Sequence, residues 1–218
     1  MIRPSVTVID YSVNNVLSVA RGFEHIGVDV HFARTAEDLY DAQRIVLPGV
    51  GAFGAAMEKL GAAGLIEPLK EIASNGDVPL LGVCLGMQLL LDGSSEFGNH
   101  KGLALIPGEV TKLSFDNDIN CDKPKVPHIC WAGLQQSPTA KSWDGGLLAG
   151  LSPGDCVYFV HSFIATPSRD ENCIATAAYY DVQVPAVIGH GKIWGCQFHP
   201  EKSANVGMQI LKNFVQFI

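Results

Sequence analysis

Apolar residues in the first half of the chain alternate between short continuous runs and helically spaced stripes. Runs that favour buried strands cover residues 6–10, 28–33, 44–47 and 79–83. Stripes that favour helices are Val16, Val19, Ala20 and Phe23 before Gly27, then Leu65, Leu69, Ile72 and Ala73 before Gly76, then residues 85–91. Because strands alternate with helices, the pattern predicts an α/β protein whose parallel sheet is covered by helices on both faces.

The second half of the chain has a different pattern, in which strand-like runs follow one another with little helical spacing between them. The expected strands cover residues 110–115, 125–129, 156–160, 174–178, 184–188 and 192–198. Several are close enough to form hairpins, so we expect an antiparallel extension of the sheet. Val206, Ile210, Phe214 and Ile218 repeat every fourth residue and predict a final helix over residues 205–218. Without a repeat or linker, residues 1–218 are expected to form a single domain.

Composition and charge exclude several classes of protein. The chain is 47% apolar and 17% charged, which is ample for a core. Its net charge of -7 and its scattered basic residues argue against nucleic-acid binding, which needs clustered Lys and Arg. No apolar run approaches the roughly 20 residues that span a bilayer, and the N-terminus lacks a secretory signal. A cytoplasmic protein that does not bind membranes is therefore expected.

The cysteines give no sign of a metal site or a redox pair. None of the six forms a Cys-x-x-Cys pair, and none has the Cys/His spacing of a zinc site. We therefore expect no metal and no cofactor. Most of these thiols should be reduced and buried as small apolar groups. The six residues are Cys84, Cys121, Cys130, Cys156, Cys173 and Cys196.

Cys84 differs from the other cysteines because it lies where a predicted strand turns into a predicted helix. Gly82 and Gly86 flank it at two residues on either side, as in the nucleophile elbow of hydrolases, with sulfur in place of oxygen. A turn this sharp leaves no room for a Cβ at the flanking positions. The turn also places the thiol at a helix N-terminus, which favours the thiolate. A buried cysteine that merely ends a core strand is the alternative.

A second candidate motif ends the predicted strand over residues 192–198. His199 is followed two residues later by Glu201, with Pro200 between them to hold the carboxylate in an extended approach. His199 would carry a proton from Cys84 to a leaving group, while Glu201 would hold the imidazole tautomer. A lone histidine is more often a surface or core residue, so the hypothesis depends on Glu201 and on the elbow.

Negative charge that develops on a substrate oxygen needs N–H donors. The N–H of Leu85 follows the nucleophile and is one candidate. A second could come from residues 48–51, Pro-Gly-Val-Gly, which follow the predicted strand 44–47 and end at the same sheet edge as Cys84. An ordinary strand-to-helix turn or a phosphate loop would fit the same four residues.

Four segments together resemble the class I, triad-type glutamine amidotransferases over essentially the whole chain. They are PGVGAF at 48–53, GVCLGMQLL at 82–90, YFVHSF at 158–163 and QFHPEKS at 197–203. Within this family the chain is most similar to the glutaminase subunits of imidazole glycerol phosphate synthases. The resemblance implies a doubly wound, mostly parallel, flavodoxin-like sheet with an antiparallel extension, and an enzyme that hydrolyses L-glutamine to L-glutamate and ammonia.

The resemblance also implies site residues and a partner. A synthase chain would receive the ammonia in a heterodimer; in the histidine pathway it is a cyclase, a (β/α)8 barrel acting on a phosphorylated aminoimidazole precursor. The triad would be Cys84, His199 and Glu201. The oxyanion hole would consist of Gly49, Val50, Gly51 and Leu85, with the Gly-rich part responding to the partner. The glutamine pocket would be lined by Gln88, Glu96, His161, Ser162, Phe163 and Pro200.

Three departures from the family pattern leave the partner open. Residues 10–15 read Asp-Tyr-Ser-Val-Asn-Asn in place of Asp-Tyr-Gly-x-Gly-Asn, and residues 127–132 read Pro-His-Ile-Cys-Trp-Ala in place of Pro-His-x-Gly-Trp-Asn. Phe163 stands where tyrosine is common. Alternatives are therefore a glutaminase that serves an ATP-dependent amidotransferase of surface sugars, a stand-alone γ-glutamyl hydrolase, and a non-catalytic subunit that keeps only the fold.

Overall fold

The computed structural model describes residues 3–115, 124–139, 142–216 and 218. Its strands are β1 Ser5–Ile9, β2 Asp29–Ala33, β3 Ile45–Gly49, β4 Leu80–Cys84, β5 Gly93–Ser94, β6 His100–Lys101, β7 Gly108–Lys112, β8 His128–Gln136, β9 Cys156–His161, β10 Phe163–Pro167, β11 Cys173–Tyr179, β12 Val182–His190 and β13 Ile193–Cys196. Its α-helices are α1 Val16–His25, α2 Phe53–Ala62, α3 Ile66–Asn75, α4 Leu85–Leu89 and α5 Ala204–Gln216. Short 3₁₀ turns cover Glu37–Leu39, Asp170–Asn172 and Pro200–Lys202.

The main sheet of the described chain has nine strands in the order β2-β1-β3-β4-β13-β12-β11-β8-β9. The strands from β2 to β13 in this order run parallel, and β12, β11, β8 and β9 continue the sheet in antiparallel pairs. A second sheet, in the order β10-β7-β5-β6, contacts the main sheet and α4 through β10. The α/β class and the antiparallel extension are confirmed.

Helices cover both faces of the parallel half. Alternate residues of the strands enter two separate apolar clusters, so that Val46 of β3 belongs to one cluster and Leu47 to the other. The first cluster includes Phe23 of α1 and Phe214 of α5, whose ring centroids are 6.3 Å apart. The second includes residues of α2 and α3, such as Leu69. This arrangement is the predicted doubly wound sheet.

The periodic helices were predicted within a few residues, whereas several other elements were not. The strand predicted over 125–129 exists but its bounds are wrong, because β8 begins only at His128 and runs on to Gln136. Many side chains of β8 are exposed, so its true extent has no apolar run to mark it. Helix α2 and strand β10 were missed, and Cys121 lies outside the described residues. Across the part of the chain that the structure describes, every helix is too short or too polar to cross a bilayer.

Candidate active site

The turn between β4 and α4 holds Cys84 in a strained conformation. Its backbone has φ 55° and ψ -111°, a region that residues with a Cβ rarely adopt. A Cβ on Gly82 would lie 2.7 Å from the carbonyl oxygen of Gly86, and one on Gly86 would overlap the carbonyl oxygen of Leu47. Both flanking glycines therefore allow α4 to approach the strands closely. The predicted elbow is confirmed as a structure.

His199 and Glu201 come together just beyond β13. Nδ1 of His199 lies 2.8 Å from Oε1 of Glu201, and their side chains are only 1% and 2% exposed. His199 itself is extended, but Glu201 lies in the 3₁₀ turn Pro200–Lys202. The predicted extended approach of the carboxylate is therefore wrong: Pro200 begins a tight turn, and this turn folds Glu201 back against the imidazole ring.

The electrostatic environment favours the protonated form of His199. Burial by itself lowers the pKa of this imidazole, but electrostatic interaction with Cys84 and the hydrogen bond and charge of Glu201 outweigh burial and raise the pKa from 6.5 to about 10. Because Glu201 occupies Nδ1, the ring nitrogen available to Cys84 is Nε2. A protonated imidazole beside a cysteine can supply the proton that a leaving group needs.

Ser203 fixes the turn that carries His199. Its Oγ donates to the carbonyl oxygen of His199 at 2.7 Å and accepts from the N–H of Tyr158 at 3.0 Å. The N–H of His199 in turn donates to the carbonyl oxygen of Tyr158 at 3.0 Å. Ser203 is completely buried. Sequence reasoning gave it no role, although it follows His199 at the spacing of a side chain that closes a turn.

The Gly-rich segment after β3 lies beside Cys84. Strands β3 and β4 are parallel, and their register places Gly49 opposite Cys84. The base of the segment is held by Tyr11, whose hydroxyl donates to the carbonyl oxygen of Pro48 at 2.8 Å; burial raises the pKa of this phenol well above its usual value. Gly51 has φ 105°, and no atom lies within 4 Å of the place where its Cβ would be. The segment therefore has a fixed base and an open tip.

A pocket of about 290 Å³ opens in front of Cys84 and His199. This volume is at the lower end of the range for small-molecule sites. Pro127 and Val160, which sequence reasoning missed, line this pocket. The predicted site residues that line it are Cys84, His199, Val50, Gly51, Leu85, Gln88, Glu96, His161, Ser162 and Phe163. The structure does not bring Gly49, Pro200 or Glu201 into the lining.

Gln88 connects the pocket wall to the nucleophile. Its Nε2 donates to the carbonyl oxygen of Phe163 at 2.9 Å and to Oε1 of Gln197 at 3.0 Å. Nε2 of Gln197 in turn lies 3.9 Å from Sγ of Cys84. Sequence reasoning missed Gln197, although the two-residue alternation of an extended chain places it on the same side as His199.

Glu96 and His161 also line the pocket. Oε2 of Glu96 accepts from the N–H of Phe53 at 2.7 Å, which fixes the start of α2 just after the Gly-rich segment. His161 contacts the carbonyl oxygen of Phe163 through Nδ1 at 3.0 Å. Desolvation, with a smaller effect of His128, lowers the pKa of His161 to about 3, so its ring is neutral at neutral pH.

Together these groups can cleave an amide. A thiol, a protonated imidazole and a buried carboxylate are arranged in series beside a pocket, and backbone N–H groups of the elbow and the Gly-rich segment lie at the same edge of the sheet. Among the described residues, His, Cys, Asp and Glu side chains form no group of three that could hold a metal ion.

Comparison with known proteins agrees with this geometry. The model of the family "Glutamine amidotransferase class-I" matches residues 7–217. The imidazole glycerol phosphate synthase subunit HisH 1 of Legionella pneumophila (strain Lens) is 43% identical over 212 residues, which are 97% of this chain and 99% of the relative. The HisH subunit of Listeria monocytogenes (strain EGD-e) is 42% identical over 212 residues, 96% of this chain and 94% of the relative. A crystal structure of a glutamine amidotransferase superimposes with a TM-score of 0.72 at 15% identity, covering 97% of this chain and 98% of that one.

Proposed function

This chain belongs to the class-I glutamine amidotransferase family, and from that premise we propose that it is the glutaminase subunit of an imidazole glycerol phosphate synthase. It hydrolyses L-glutamine to L-glutamate and ammonia, and it delivers the ammonia to a cyclase-type synthase chain in a heterodimer. The observation that carries the proposal is the strained Cys84 beside the buried pair of His199 and Glu201.

The reaction uses the three residues in order. The Cys84 thiolate attacks the side-chain amide carbon of glutamine, and the bond from carbon to nitrogen breaks as His199 gives its proton to the leaving ammonia. A thioester between Cys84 and the γ-glutamyl group remains. Water then attacks the thioester while neutral His199 accepts its proton, and glutamate leaves. Glu201 orients the ring through Nδ1 and stabilises its charge.

Negative charge on the amide oxygen is met by backbone donors. The N–H of Leu85 follows the nucleophile at the start of α4, and the second donor comes from Gly49, Val50 and Gly51. The open tip of this segment supports a hole that is completed only when the partner binds, because the peptide between Val50 and Gly51 can rotate without a side-chain clash at Gly51.

The pocket supports recognition of a free amino acid. The carboxylate of Glu96 can pair with the α-ammonium group, while Gln88, His161, Ser162 and Phe163 surround the rest of the substrate. Pro200 acts from behind the pocket, because it begins the turn that brings Glu201 to His199. In this role Pro200 positions the triad and makes no contact with the substrate.

An exposed apolar surface supports a protein partner. On β8, Ile129 and Trp131 are 54% and 52% exposed, and the ring of Trp131 lies 5.9 Å from that of Tyr158 on β9. Both residues follow Pro127, which lines the pocket mouth. Exposed aromatic and aliphatic side chains in such a cluster are typical of an interface.

The heterodimer works in the cytoplasm, with residues 1–218 acting as a single domain and without a cofactor.

A comparison of nitrogen sources tests the proposal. The chain is mixed with the cyclase chain of the same organism, and imidazole glycerol phosphate is measured with either glutamine or ammonium as the source. Product from both sources, with glutamine use lost in Cys84→Ala, supports the assignment. Glutamine hydrolysis without any product would instead point to a different synthase partner, and an absence of hydrolysis would contradict the glutaminase itself.

A further inference from the structure

His161 in the pocket wall and two side chains behind it, His128 and Cys130, form a continuous hydrogen-bonded network, and the proposed reaction gives no role to the last two. Nδ1 of His161 lies 3.0 Å from the carbonyl oxygen of Phe163, and its Nε2 lies 2.9 Å from Nδ1 of His128. Nε2 of His128 lies 3.1 Å from Sγ of Cys130. The register of β8 and β9 places His128 directly opposite His161, so the two rings meet across adjacent strands.

The hydrogen bonds of this network can run in only one direction from donor to acceptor. A carbonyl oxygen can only accept, so the hydrogen on His161 must be on Nδ1. Desolvation lowers the pKa of His128 to about 4 and that of His161 to about 3, so each ring carries a single proton at neutral pH. Nε2 of His161 therefore accepts from Nδ1–H of His128, and Nε2 of His128 accepts in turn. Among the residues that the structure describes, the donor that reaches this nitrogen is the thiol of Cys130, at 3.1 Å.

His128 cannot easily exchange this partner for water. It is completely buried, and its ring is stacked on Phe159 at 4.9 Å and on Tyr179 at 3.8 Å between centroids. Burial also raises the pKa of the Cys130 thiol, which keeps its hydrogen in place. A buried acceptor that loses its donor is left unsatisfied, and this carries a free-energy cost.

The end of the hydrogen-bonded network at Phe163 reaches the substrate pocket. The carbonyl oxygen of Phe163 accepts from His161 and also from Nε2 of Gln88 at 2.9 Å. His161 and Gln88 both line the pocket, and Gln88 continues to Gln197 beside the nucleophile. The orientation of Gln88 in the pocket wall thus depends on the Phe163 carbonyl group, which the hydrogen-bonded network fixes through His161.

We propose that Cys130 and His128 are positioning residues of the glutamine pocket. The Cys130 thiol is the terminal donor, and it sets the direction of the hydrogen bonds that run through His128 and His161 to Phe163. The identity of the substrate as glutamine rests on the proposed function, whereas the direction of the hydrogen bonds does not. The competing explanation is that Cys130 only fills space on β8. In that case alanine would serve as well as serine.

Two cysteine substitutions separate these explanations. Cys130→Ala removes the donor, and Cys130→Ser restores an O–H donor of similar size. Cys156→Ala is the matched control, since Cys156 is an exposed cysteine on the neighbouring strand and its Sγ contacts only the carbonyl oxygen of Gly154 among the groups described. In the complex with the cyclase, Cys130→Ala should raise the KM for glutamine roughly five-fold, the weight of one neutral hydrogen bond, with a much smaller change in kcat. Cys130→Ser and Cys156→Ala should keep the wild-type KM.

The tautomers provide a readout that does not depend on catalysis. Nitrogen-15 NMR of the histidine rings in the free chain, assigned by single histidine substitutions, should show hydrogen on Nδ1 and none on Nε2 for both His128 and His161. In Cys130→Ala the His128 signals should shift toward a mixture of tautomers, and in Cys130→Ser they should return. Hydrogen on Nε2 of either ring in the wild type, or equal KM for alanine and wild type, would overturn the proposal. A wild-type complex that fails to hydrolyse glutamine would contradict the proposed function alone. The NMR tautomers of His128 and His161 would then still test the direction of the hydrogen bonds.

Discussion

Nδ1 of His199 and Oε1 of Glu201 are 2.8 Å apart, in side chains that are almost completely buried. A carboxylate in this position does two things: it selects the tautomer of the neutral ring and stabilises the charged ring. The first effect needs a hydrogen-bond acceptor, whereas the second needs the negative charge. This pair therefore distinguishes an active triad from a merely hydrogen-bonded histidine.

Glu201→Gln should separate the charge from the hydrogen bond. Glutamine keeps the shape of the side chain but cannot stabilise an imidazolium, and its amide can present a donor to Nδ1. We expect kcat for glutamine hydrolysis to fall by a factor on the order of 10² to 10⁴. Glu201→Asp should recover part of the activity. Equal rates for Glu201→Gln and the wild type would show that Glu201 acts through hydrogen bonding and packing and that its negative charge is not needed.

The pH titration of His199 is a second consequence of the pair. Its pKa in the folded chain, about 10, is above the ordinary value of 6.5, so its ion pairs stabilise the fold fully below pH 6.5 and lose this effect as pH rises through 10. The difference in Tm between wild type and Glu201→Gln should therefore be largest near pH 6 and smaller near pH 10. The NMR signal of His199 should titrate at lower pH in the variant. A wild-type midpoint near 6.5 would contradict the assignment of an imidazolium.

Cys84→Ser should abolish glutamine hydrolysis while the complex continues to use free ammonium, because the nucleophile serves only ammonia release. A glutamine-like electrophile should label Cys84 in the wild type and spare Cys130 and Cys196, which mass spectrometry of peptides can measure. Undiminished hydrolysis by the serine variant, or equal labelling of the other two thiols, would show that the elbow gives Cys84 no special reactivity.

Ser203→Ala should test the support of His199 from behind. The substitution leaves the N–H of Tyr158 and the carbonyl oxygen of His199 each without one partner, which should lower the free energy of unfolding by about 1 to 3 kcal/mol. A misplaced imidazole affects the transition state more than substrate binding, so kcat should fall about ten-fold with little change in KM. Ser203→Thr, which keeps the hydroxyl, is the matched control. A change in KM alone would place Ser203 with the substrate instead.

Local patterns in the sequence predicted the parts of this protein whose signals are local. Continuous apolar runs identified β1, β3 and β4, and fourfold spacing identified α1, α3 and α5, because burial on a sheet or under a helix leaves those periods in the chain. The flanking glycines of Cys84 likewise record a steric requirement of the turn itself. Strands β5 and β6 have two residues each, which is too short for any period.

Long-range register was not available from local patterns. His128 and His161 are separated by 33 positions, and only the antiparallel pairing of β8 and β9 brings their rings together. Sequence reasoning placed His161 in the pocket by resemblance and gave Cys130 only the status of a departure. The partly exposed face of β8 also hid the extent of this strand, since a strand with many exposed side chains lacks the apolar run of a core strand. Gln197 could have been found by two-residue alternation from His199.

The most direct test of the account is the steady-state glutaminase rate with and without the cyclase and its acceptor ligand. Because the proposed oxyanion hole takes one donor from the open Gly49 to Gly51 segment, the free chain should turn over slowly, and the partner should raise kcat by a factor of order 10² to 10³ with a far smaller change in KM. Gly51→Pro removes an N–H from the segment and cannot adopt the φ of 105° found there, so it should erase most of this activation while the complex still assembles. Full activity of the free chain, unchanged when the cyclase and ligand are added, would contradict a gated subunit and favour a stand-alone hydrolase.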